Sequence, residues 1–204
     1  MSPEQLIPTT LSAAIPFLFK RISYLSVAEQ EIIAEAFCFC AAAHSDQRRK
    51  SGDLYTLHPL KVACFMALYS GDADNIVASL LHDVLEDTDV TADRIKLDFG
   101  PAVLFLVESV THHNAFSNRE YFEKVFQRSQ NDHRVALIKL ADHCVNLMHN
   151  DMAAFNAEKH AAKLEETKQF YLPRLSEVSG VPSDLQRTLV RILAQSETEL
   201  ARKR

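Results

Sequence analysis

Glycine and proline are scarce in this sequence, which has four glycines and seven prolines among 204 residues. Both residue types interrupt regular structure, so their scarcity favours long elements. No window alternates apolar and polar residues between turn signals, so a sheet is not expected, whereas helical periodicity dominates. The sequence therefore predicts an all-α helical bundle, with helices over residues 27–46, 59–69, 73–86, 91–98, 100–112, 118–130, 132–150, 154–178 and 183–202.

The sequence also lacks an excess of positive charge and a cysteine framework. It has 22 Lys and Arg against 27 Asp and Glu, a formal net charge of −5, so no overall basic field attracts nucleic acid. A strongly anionic ligand therefore requires a local basic patch or a metal ion. The four cysteines form no CxxC pair, which predicts reduced thiols in a cytoplasmic protein.

Long apolar runs are absent, and none reaches the length of a membrane span. The short N-terminal apolar run has no basic region before it and is interrupted by Pro8 and Pro16, so no signal peptide is predicted. We expect no membrane partner. The length favours one domain, with an extension over residues 1–26 packing on a main unit over 27–153 and C-terminal helices over 154–204 completing it.

One stretch, SLLHDVLEDTD at residues 79–89, places four ionisable groups at the edge of an apolar helix. On a helix His82 and Glu86 are four residues apart, as are Asp83 and Asp87, and such pairs share a face. Carboxylates there are costly unless something compensates them. An imidazole with a carboxylate suits a divalent metal ion, but a solvated helix end or simple turn chemistry would also explain the stretch.

Two further stretches contain candidate ligands. His58 precedes a proline at a predicted helix start in YTLHPLKVACF, where a histidine is often only a polar boundary residue. Asp142 interrupts the apolar helix VALIKLADHCVN, with Asn146 one turn later. An isolated buried carboxylate is unfavourable, so Asp142 requires a partner, either a metal ion or a nearby Lys or Arg.

The order His, then His-Asp, then Asp resembles the ligand pattern of the HD phosphohydrolase superfamily. The segments RRKSGDLYTLHPLKVA, LLHDVLEDTDVT, FGPAVLFLVESVTH and IKLADHCVN resemble, in order, the hydrolase domain of the RelA/SpoT-type alarmone enzymes. The similarity extends from about residue 41 to 150. It implies a single HD-domain helical bundle, with 27–153 as the hydrolase domain, in a stand-alone small alarmone hydrolase.

The resemblance implies that the protein removes the 3′-pyrophosphate from alarmones such as ppGpp with one Mn²⁺ per chain. The metal ligands it implies are His58, His82, Asp83 and Asp142. The catalytic groups it implies are Glu86 and Asp87, which would orient or deprotonate water and assist the leaving group. The substrate-binding residues are Arg49, Lys50, Ser51, Tyr55 and Asn146. The partner is then a small nucleotide, and the C-terminal helices either brace the domain or form a homo-oligomer surface.

Two motifs depart from the family pattern. His143 and Val145 occupy positions where the family usually has Arg and His, and His112 occupies the position of the Lys in the family's VTK motif. These departures leave the identity of the purine base open, so both guanosine alarmones and adenosine alarmones such as ppApp are candidate substrates. A different HD-type enzyme acting on 5′-nucleotides or dNTPs, and a catalytically silent nucleotide-binding module, remain alternatives.

Overall fold

The computed structural model describes residues 7–49, 52–113, 115–148, 157–174 and 177–203. Helices dominate this part of the chain, where the β-type pairing is an isolated antiparallel bridge between Arg48 and Leu54. The all-α prediction is therefore confirmed. The helices are α1 (Leu11–Arg21), α2 (Val27–Ala43), α3 (Leu57–Met66), α4 (Ala73–Leu81), α5 (Val84–Asp87), α6 (Ala92–Val110), α7 (Asn118–Asn131), α8 (His133–Met148), α9 (Ala157–Glu166), α10 (Leu172–Arg174) and α11 (Ser183–Lys203). A π-helical turn, Thr167–Tyr171, joins α9 to α10.

Side-chain caps define several helix starts. Ser26 and Glu29 form a reciprocal capping box at α2, and Ser117 and Glu120 form another at α7. The Thr91 side chain accepts a hydrogen bond from the Arg94 backbone N–H at the start of α6. Each cap satisfies backbone N–H groups that would otherwise lack a partner, which contributes about 1 kcal/mol.

Three buried helices form the centre of the bundle. Every residue of α3 is buried, residues 75–81 of α4 are buried, and α8 buries most of its length. Helices that are apolar on nearly all sides are typical of a core, and fully buried side chains such as Phe65, Leu80 and Ile138 each contribute about 1.5–3 kcal/mol. The backbone that carries His58 and Asp142 is therefore fixed by tight packing.

The N-terminal segment contains a helix that the sequence analysis did not predict. Pro16 lies inside α1, where a proline is normally unfavourable because it lacks the helical N–H donor. Packing against α3 outweighs this cost, since Leu18 and Ile22 are completely buried and the Cys64 thiol contacts the Ala14 carbonyl oxygen at 3.4 Å. The domain boundaries at 26 and 153 remain a prediction.

The predicted helix 73–86 is interrupted, which corrects the sequence analysis. Helix α4 ends at Leu81, His82 and Asp83 form a turn, and the short helix α5 follows. The predicted helix 154–178 is likewise not a regular α-helix within its described residues 157–174 and 177–178. A π-helical turn directly precedes Leu172 and Pro173, and a proline cannot donate to the regular α-helical ladder.

The C-terminal helix packs on the bundle, as one of the two alternatives predicted. Leu189 and Ile192 of α11 are buried, and Ser196 Oγ donates to the Leu147 carbonyl oxygen at 3.3 Å. This contact braces α8 near its end. Within the described ranges, no helix combines the length and apolarity that a membrane crossing requires.

The chain turns sharply at Gly100, between the two parts of α6. Gly100 has φ 86° and ψ 169°, a region that is almost exclusive to glycine, and Pro101 follows it. A methyl group added at the Gly100 Cα would have no atom within 4 Å, so backbone strain alone opposes substitution.

We predict that Gly100→Ala lowers the free energy of unfolding by about 1–3 kcal/mol. This corresponds to a fall in Tm of about 3–10 °C, measured by thermal circular dichroism. The control is Gly71→Ala, because Gly71 does not have a positive φ and its nearest neighbour is the end of the exposed Tyr24 side chain. Equal losses in the two variants would contradict the prediction.

Candidate metal centre

Most of the predicted site residues line one cleft of about 210 Å³. His58 comes from the start of α3, Asp142 from α8, and the acidic groups from the turn after α4 and from α5. The predicted residues that line the cleft are Arg49, Tyr55, His58, His82, Asp83, Glu86, Asp87, Asp142 and Asn146. The predicted residues Lys50 and Ser51 lie outside the described part of the chain.

The four predicted metal ligands form one cluster. Ligand atoms of His58, His82 and Asp83 all lie within 4.8 Å of one another, so these three residues could hold a metal ion. Asp142 Oδ1 lies 3.1 Å from His58 Nε2 and 3.7 Å from His82 Nε2. Segments that are up to 84 residues apart in sequence therefore meet at one point.

His82 provides the clearest indication that a cation fits. Its Nδ1–H donates to the Ser79 carbonyl oxygen at 2.9 Å. In the neutral ring, Nε2 then carries a lone pair that can bind a cation. His82 Nε2 is buried and lies 3.0 Å from Asp83 Oδ1, yet no contact there satisfies hydrogen-bond geometry. A buried imidazole nitrogen that makes no well-aligned hydrogen bond and lies beside carboxylate oxygens suits a divalent cation.

The charge balance of the cluster supports the same conclusion. Burial disfavours the charged imidazole, but Asp83 and Asp142 outweigh this effect and raise the pKa of His82 to about 10. Burial likewise disfavours ionised Asp83, but the adjacent His82 outweighs burial and holds the pKa of Asp83 below its ordinary value. The cluster therefore carries negative charge that a proton or a cation must offset.

The turn at His82 and Asp83 makes this arrangement possible. On a regular helix, adjacent side chains diverge by about 100°. The sequence analysis placed both residues on a continuous helix, but they occupy the junction between α4 and α5. At this junction a His82 nitrogen lies 3.0 Å from an Asp83 oxygen.

Asp142 has the Lys partner that was one of the two alternatives left open by the sequence. Its Oδ2 pairs with Lys139 Nζ at 3.1 Å, whereas its Oδ1 contacts His58 and accepts a hydrogen bond from Asn146 Nδ2 at 2.6 Å. Burial alone would raise the pKa of Asp142, but Lys139 and His58 outweigh burial and lower it. The sequence analysis did not name Lys139, although its spacing of three residues from Asp142 could have indicated it.

Glu86 and Asp87 lie beside the cluster on α5. Glu86 Oε2 accepts a hydrogen bond from the His112 backbone N–H at 2.8 Å, and partial burial in the cleft raises the pKa of Glu86. The Tyr55 hydroxyl contacts both Asp83 and Asp87. Burial and the Asp83 charge raise the pKa of Tyr55, so its hydroxyl remains a hydrogen-bond donor.

A cationic group stands at the rim of the cleft. Arg49 is exposed, and its Nη2 donates to Asn146 Oδ1 at 3.3 Å. Asn146 thus connects Arg49 to Asp142. This arrangement places a guanidinium group next to the acidic cluster, where it can meet an anionic or planar ligand.

The two departures in the ADHCVN segment lie away from the cluster. His143 Nε2 contacts Thr167 Oγ1 at 2.7 Å, and its ring stacks on Tyr171 with centroids 3.8 Å apart. Burial lowers the pKa of His143 to about 3, so the ring is neutral near pH 7. Val145 is completely buried. In contrast, His112 lines the cleft, so the departure in the VTK motif does reach the site.

Comparison with known proteins agrees with this geometry. A family model described as HD domain matches residues 36–174, more than half of the chain. The chain belongs to the HD domain family. The matched range includes His58, His82, Asp83 and Asp142, together with the helices that carry them.

Curated relatives are named for alarmone metabolism. A probable guanosine-3′,5′-bis(diphosphate) 3′-pyrophosphohydrolase of Synechocystis is 38% identical over 149 residues, which cover 70% of this chain and 19% of that protein. The bifunctional (p)ppGpp synthase/hydrolase SpoT of Escherichia coli is 34% identical over 158 residues, which cover 74% of this chain and 22% of that protein. The chain therefore spans about a fifth of the length of the curated relatives that it matches.

A solved structure of similar size shares the HD-domain architecture. It is that of a metazoan ortholog of SpoT, described as hydrolysing ppGpp, with a TM-score of 0.69 and 26% sequence identity. The alignment covers 84% of this chain and 97% of the other. The similarity therefore extends over nearly the whole of that smaller protein.

We predict that Lys139→Met destabilises the HD domain, because it leaves Asp142 Oδ2 without its ammonium partner. Breaking a largely buried pair in this way costs about 3–5 kcal/mol, which corresponds to a fall in Tm of about 6–20 °C in metal-free protein. The control is Lys168→Met, whose side chain is 43% exposed and pairs with Glu165 and Glu197 on the surface. The expected fall in Tm of Lys168→Met is at most about 3 °C. Similar falls in Tm for both variants would contradict the prediction.

Proposed function

We propose that this chain is a metal-dependent hydrolase that removes the 3′-pyrophosphate from alarmone nucleotides, (p)ppGpp or (p)ppApp. The observation that carries the proposal is the convergence of His58, His82, Asp83 and Asp142 on one point, with Glu86 and Asp87 on the same cleft. The names of the relatives support the substrate class. The products are GDP or GTP, or ADP or ATP, together with pyrophosphate.

One Mn²⁺ per chain is the cation that we propose. His58 and His82 would supply imidazole nitrogens, and Asp83 and Asp142 would supply carboxylate oxygens. This mixed donor set suits a divalent first-row metal ion and leaves positions open for water and a phosphate oxygen. Lys139 and Asn146 would orient Asp142, since ligating carboxylates are commonly held by such neighbours.

The side chains divide the chemistry between them. The bound cation supplies a lowered pKa for the attacking water and offsets charge on the phosphoryl group. Glu86, whose pKa is raised, accepts a proton from that water, and its bond from the His112 N–H fixes its carboxylate. The water oxygen forms a bond to the 3′-phosphorus, the bond from that phosphorus to the 3′-oxygen breaks, and the 3′-oxygen takes up a proton. Asp87 would assist this leaving group.

Substrate binding requires positive charge beside an acidic cleft. Arg49 stands at the rim and would stack on the base, while Asn146 would contact the nucleotide near the metal ion. Lys50 and Ser51 complete the proposed substrate-binding set. The Tyr55 hydroxyl, which the sequence analysis also assigned to substrate binding, contacts Asp83 and Asp87 instead. His143 and Val145 contact other parts of the fold, so the choice between guanine and adenine depends on other residues.

We propose a cytoplasmic protein whose partner is the small nucleotide, with no nucleic acid partner. The net charge of −5 is consistent with this, because it gives no overall attraction to polyanions. We also propose that the C-terminal helices can form a homo-oligomer surface. Measurement of the molecular size in solution would test this.

We predict that the protein with Mn²⁺ releases pyrophosphate from ppGpp or ppApp, measured by product chromatography with both substrates side by side. Removal of the metal ion by a chelator should abolish turnover, as should Asp83→Ala. Release of inorganic phosphate from 5′-nucleotides or dNTPs alone would indicate a different HD-type enzyme. Tight alarmone binding without turnover would indicate a silent binding module, and either outcome would overturn the proposal.

We predict that Glu86→Gln lowers kcat by about 10²–10⁴-fold, because the amide cannot accept the proton from water. Mn²⁺ binding should persist, since Glu86 is not one of the proposed ligands, and titration of the metal ion would test this. The matched control is Glu31→Gln on the exposed side of α2, which should retain the activity of the unmodified protein. Full activity of Glu86→Gln would exclude Glu86 as the base.

We predict that Arg49→Ala raises KM about 5–30-fold, because a stacked guanidinium contributes about 1–2 kcal/mol to binding. The adjacent Arg48 offers a matched control, since its side chain donates to the Gly52 carbonyl oxygen and does not line the cleft. Steady-state kinetics should show little change in KM for Arg48→Ala. Equal effects of the two substitutions would indicate a general charge effect and not a specific contact.

A further inference from the structure

The Tyr55 hydroxyl connects the metal cluster to the second catalytic carboxylate. It lies 2.9 Å from Asp83 Oδ2 and 2.5 Å from Asp87 Oδ2. A phenol has one proton, so the two carboxylates share a single donor. The sequence analysis assigned Tyr55 a contact with substrate, whereas these distances show contacts with two other side chains of the site.

The Tyr55 ring is held in place from behind by a buried histidine. His44 stacks on Tyr55 with ring centroids 4.5 Å apart and an interplanar angle of 18°. His44 is only 1% exposed, and its Nδ1 lies 2.9 Å from Gln47 Oε1. Since an amide oxygen only accepts, His44 donates this hydrogen bond from Nδ1. The imidazole orientation is therefore set by Gln47.

Gln47 in turn holds the backbone at Asp87. Its Nε2 donates to the Asp87 carbonyl oxygen at 2.5 Å. The Tyr55 backbone N–H donates to the Gln47 carbonyl oxygen at 3.2 Å, which ties the two residues together. His44, Gln47 and Tyr55, which we name the Asp87 clamp, thus contact both the side chain and the main chain of Asp87.

Asp87 needs such support because its own helix is short. Helix α5 has four residues, Val84–Asp87, and Thr88 after it is extended. A single helical turn has little stability of its own. The direction of the Asp87 carboxylate is therefore set by contacts from outside α5, and the Asp87 clamp provides them from the loop between α2 and α3.

We propose that Tyr55, fixed by His44 and Gln47, is a positioning residue that orients the Asp87 carboxylate relative to Asp83. The kinetic consequence rests on the function proposed above. Tyr55 acts through Asp83 and Asp87, so its hydroxyl needs no contact with the nucleotide. Removing the hydroxyl leaves two neighbouring carboxylates without their shared donor and frees Asp87 to turn away.

The kinetic test compares Tyr55→Phe with the unmodified protein. We expect kcat to fall about 10–100-fold, because small displacements of a reacting group have effects of this size. KM should change by less than about threefold, because the substrate loses no direct contact. The Mn²⁺ dissociation constant should rise, because Asp83 loses a hydrogen bond that orients it, so kcat is measured at saturating Mn²⁺. Gln47→Leu should lower kcat in the same direction.

Tyr69→Phe is the matched control for the loss of one tyrosine hydroxyl. Its hydroxyl contacts Thr188 Oγ1 at 2.9 Å, and Tyr69 is not among the residues that line the cleft. This variant should keep the kcat of the unmodified protein. The proposal is overturned if Tyr55→Phe matches Tyr69→Phe, or if it raises KM about tenfold or more and leaves kcat unchanged, since the latter indicates a substrate contact.

A test without substrate separates this inference from the proposed function. Thermal unfolding of metal-free Tyr55→Phe, Asp87→Asn and the double variant forms a double-mutant cycle. Coupled residues should give a change in Tm for the double variant that differs from the sum of the single changes by about 2 °C or more. Additive changes would overturn the clamp. If the unmodified protein cleaves neither alarmone, the proposed function is wrong. The double-mutant cycle would still show whether Tyr55 and Asp87 are coupled.

Discussion

The negative charge of Asp83 and Asp142 at a largely buried junction is the constraint on which the rest of the site depends. Asp142 is 8% exposed, and the Asp83 side chain is 19% exposed. Charges with so little solvent are costly unless they are compensated. Lys139 compensates one oxygen of Asp142, and the imidazoles of His58 and His82 surround the other carboxylate oxygens. The set of two imidazoles and two carboxylates also suits a divalent cation.

The packed helices keep this charged junction in place. Helix α3 is buried along its entire length, so His58 cannot move without disturbing the core. Helix α8 presents Asp142 and Asn146 to the cleft, while His143, which follows Asp142 directly, packs on Tyr171 of the π-helical turn. Helix α8 thus contributes side chains to the cleft on one side and packs against the C-terminal segment on the other. Function here depends on positions that are set by apolar packing.

Two kinds of support surround the metal cluster. Around Asp142, Lys139 and Asn146 use the regular spacing of a long helix. Around Asp87, the support comes from a loop that lies 32 to 40 residues earlier, because α5 is too short to orient its own carboxylate. Neither kind of support involves Arg49, which lines the same cleft.

Much of this architecture could be predicted from the sequence. Helical periodicity and few breakers indicated an all-α bundle, because local spacing directly reflects which face of a helix is buried. The order His58, His82-Asp83 and Asp142 indicated the ligand set through its resemblance to a known family. Helix α1 was missed because Pro16 argues against a helix, and only packing on α3 overrides that local preference.

The sequence by itself determined the helical class and the acidic character of the site, and it supplied the residues that we propose as metal ligands. Only the tertiary structure decided how they meet. The interruption after Leu81, the pairing of Lys139 with Asp142 and the position of Tyr55 between Asp83 and Asp87 all depend on contacts between distant segments. Periodicity describes one helix at a time, whereas hydrogen bonds and charges at this junction are set by how several helices and a loop pack together.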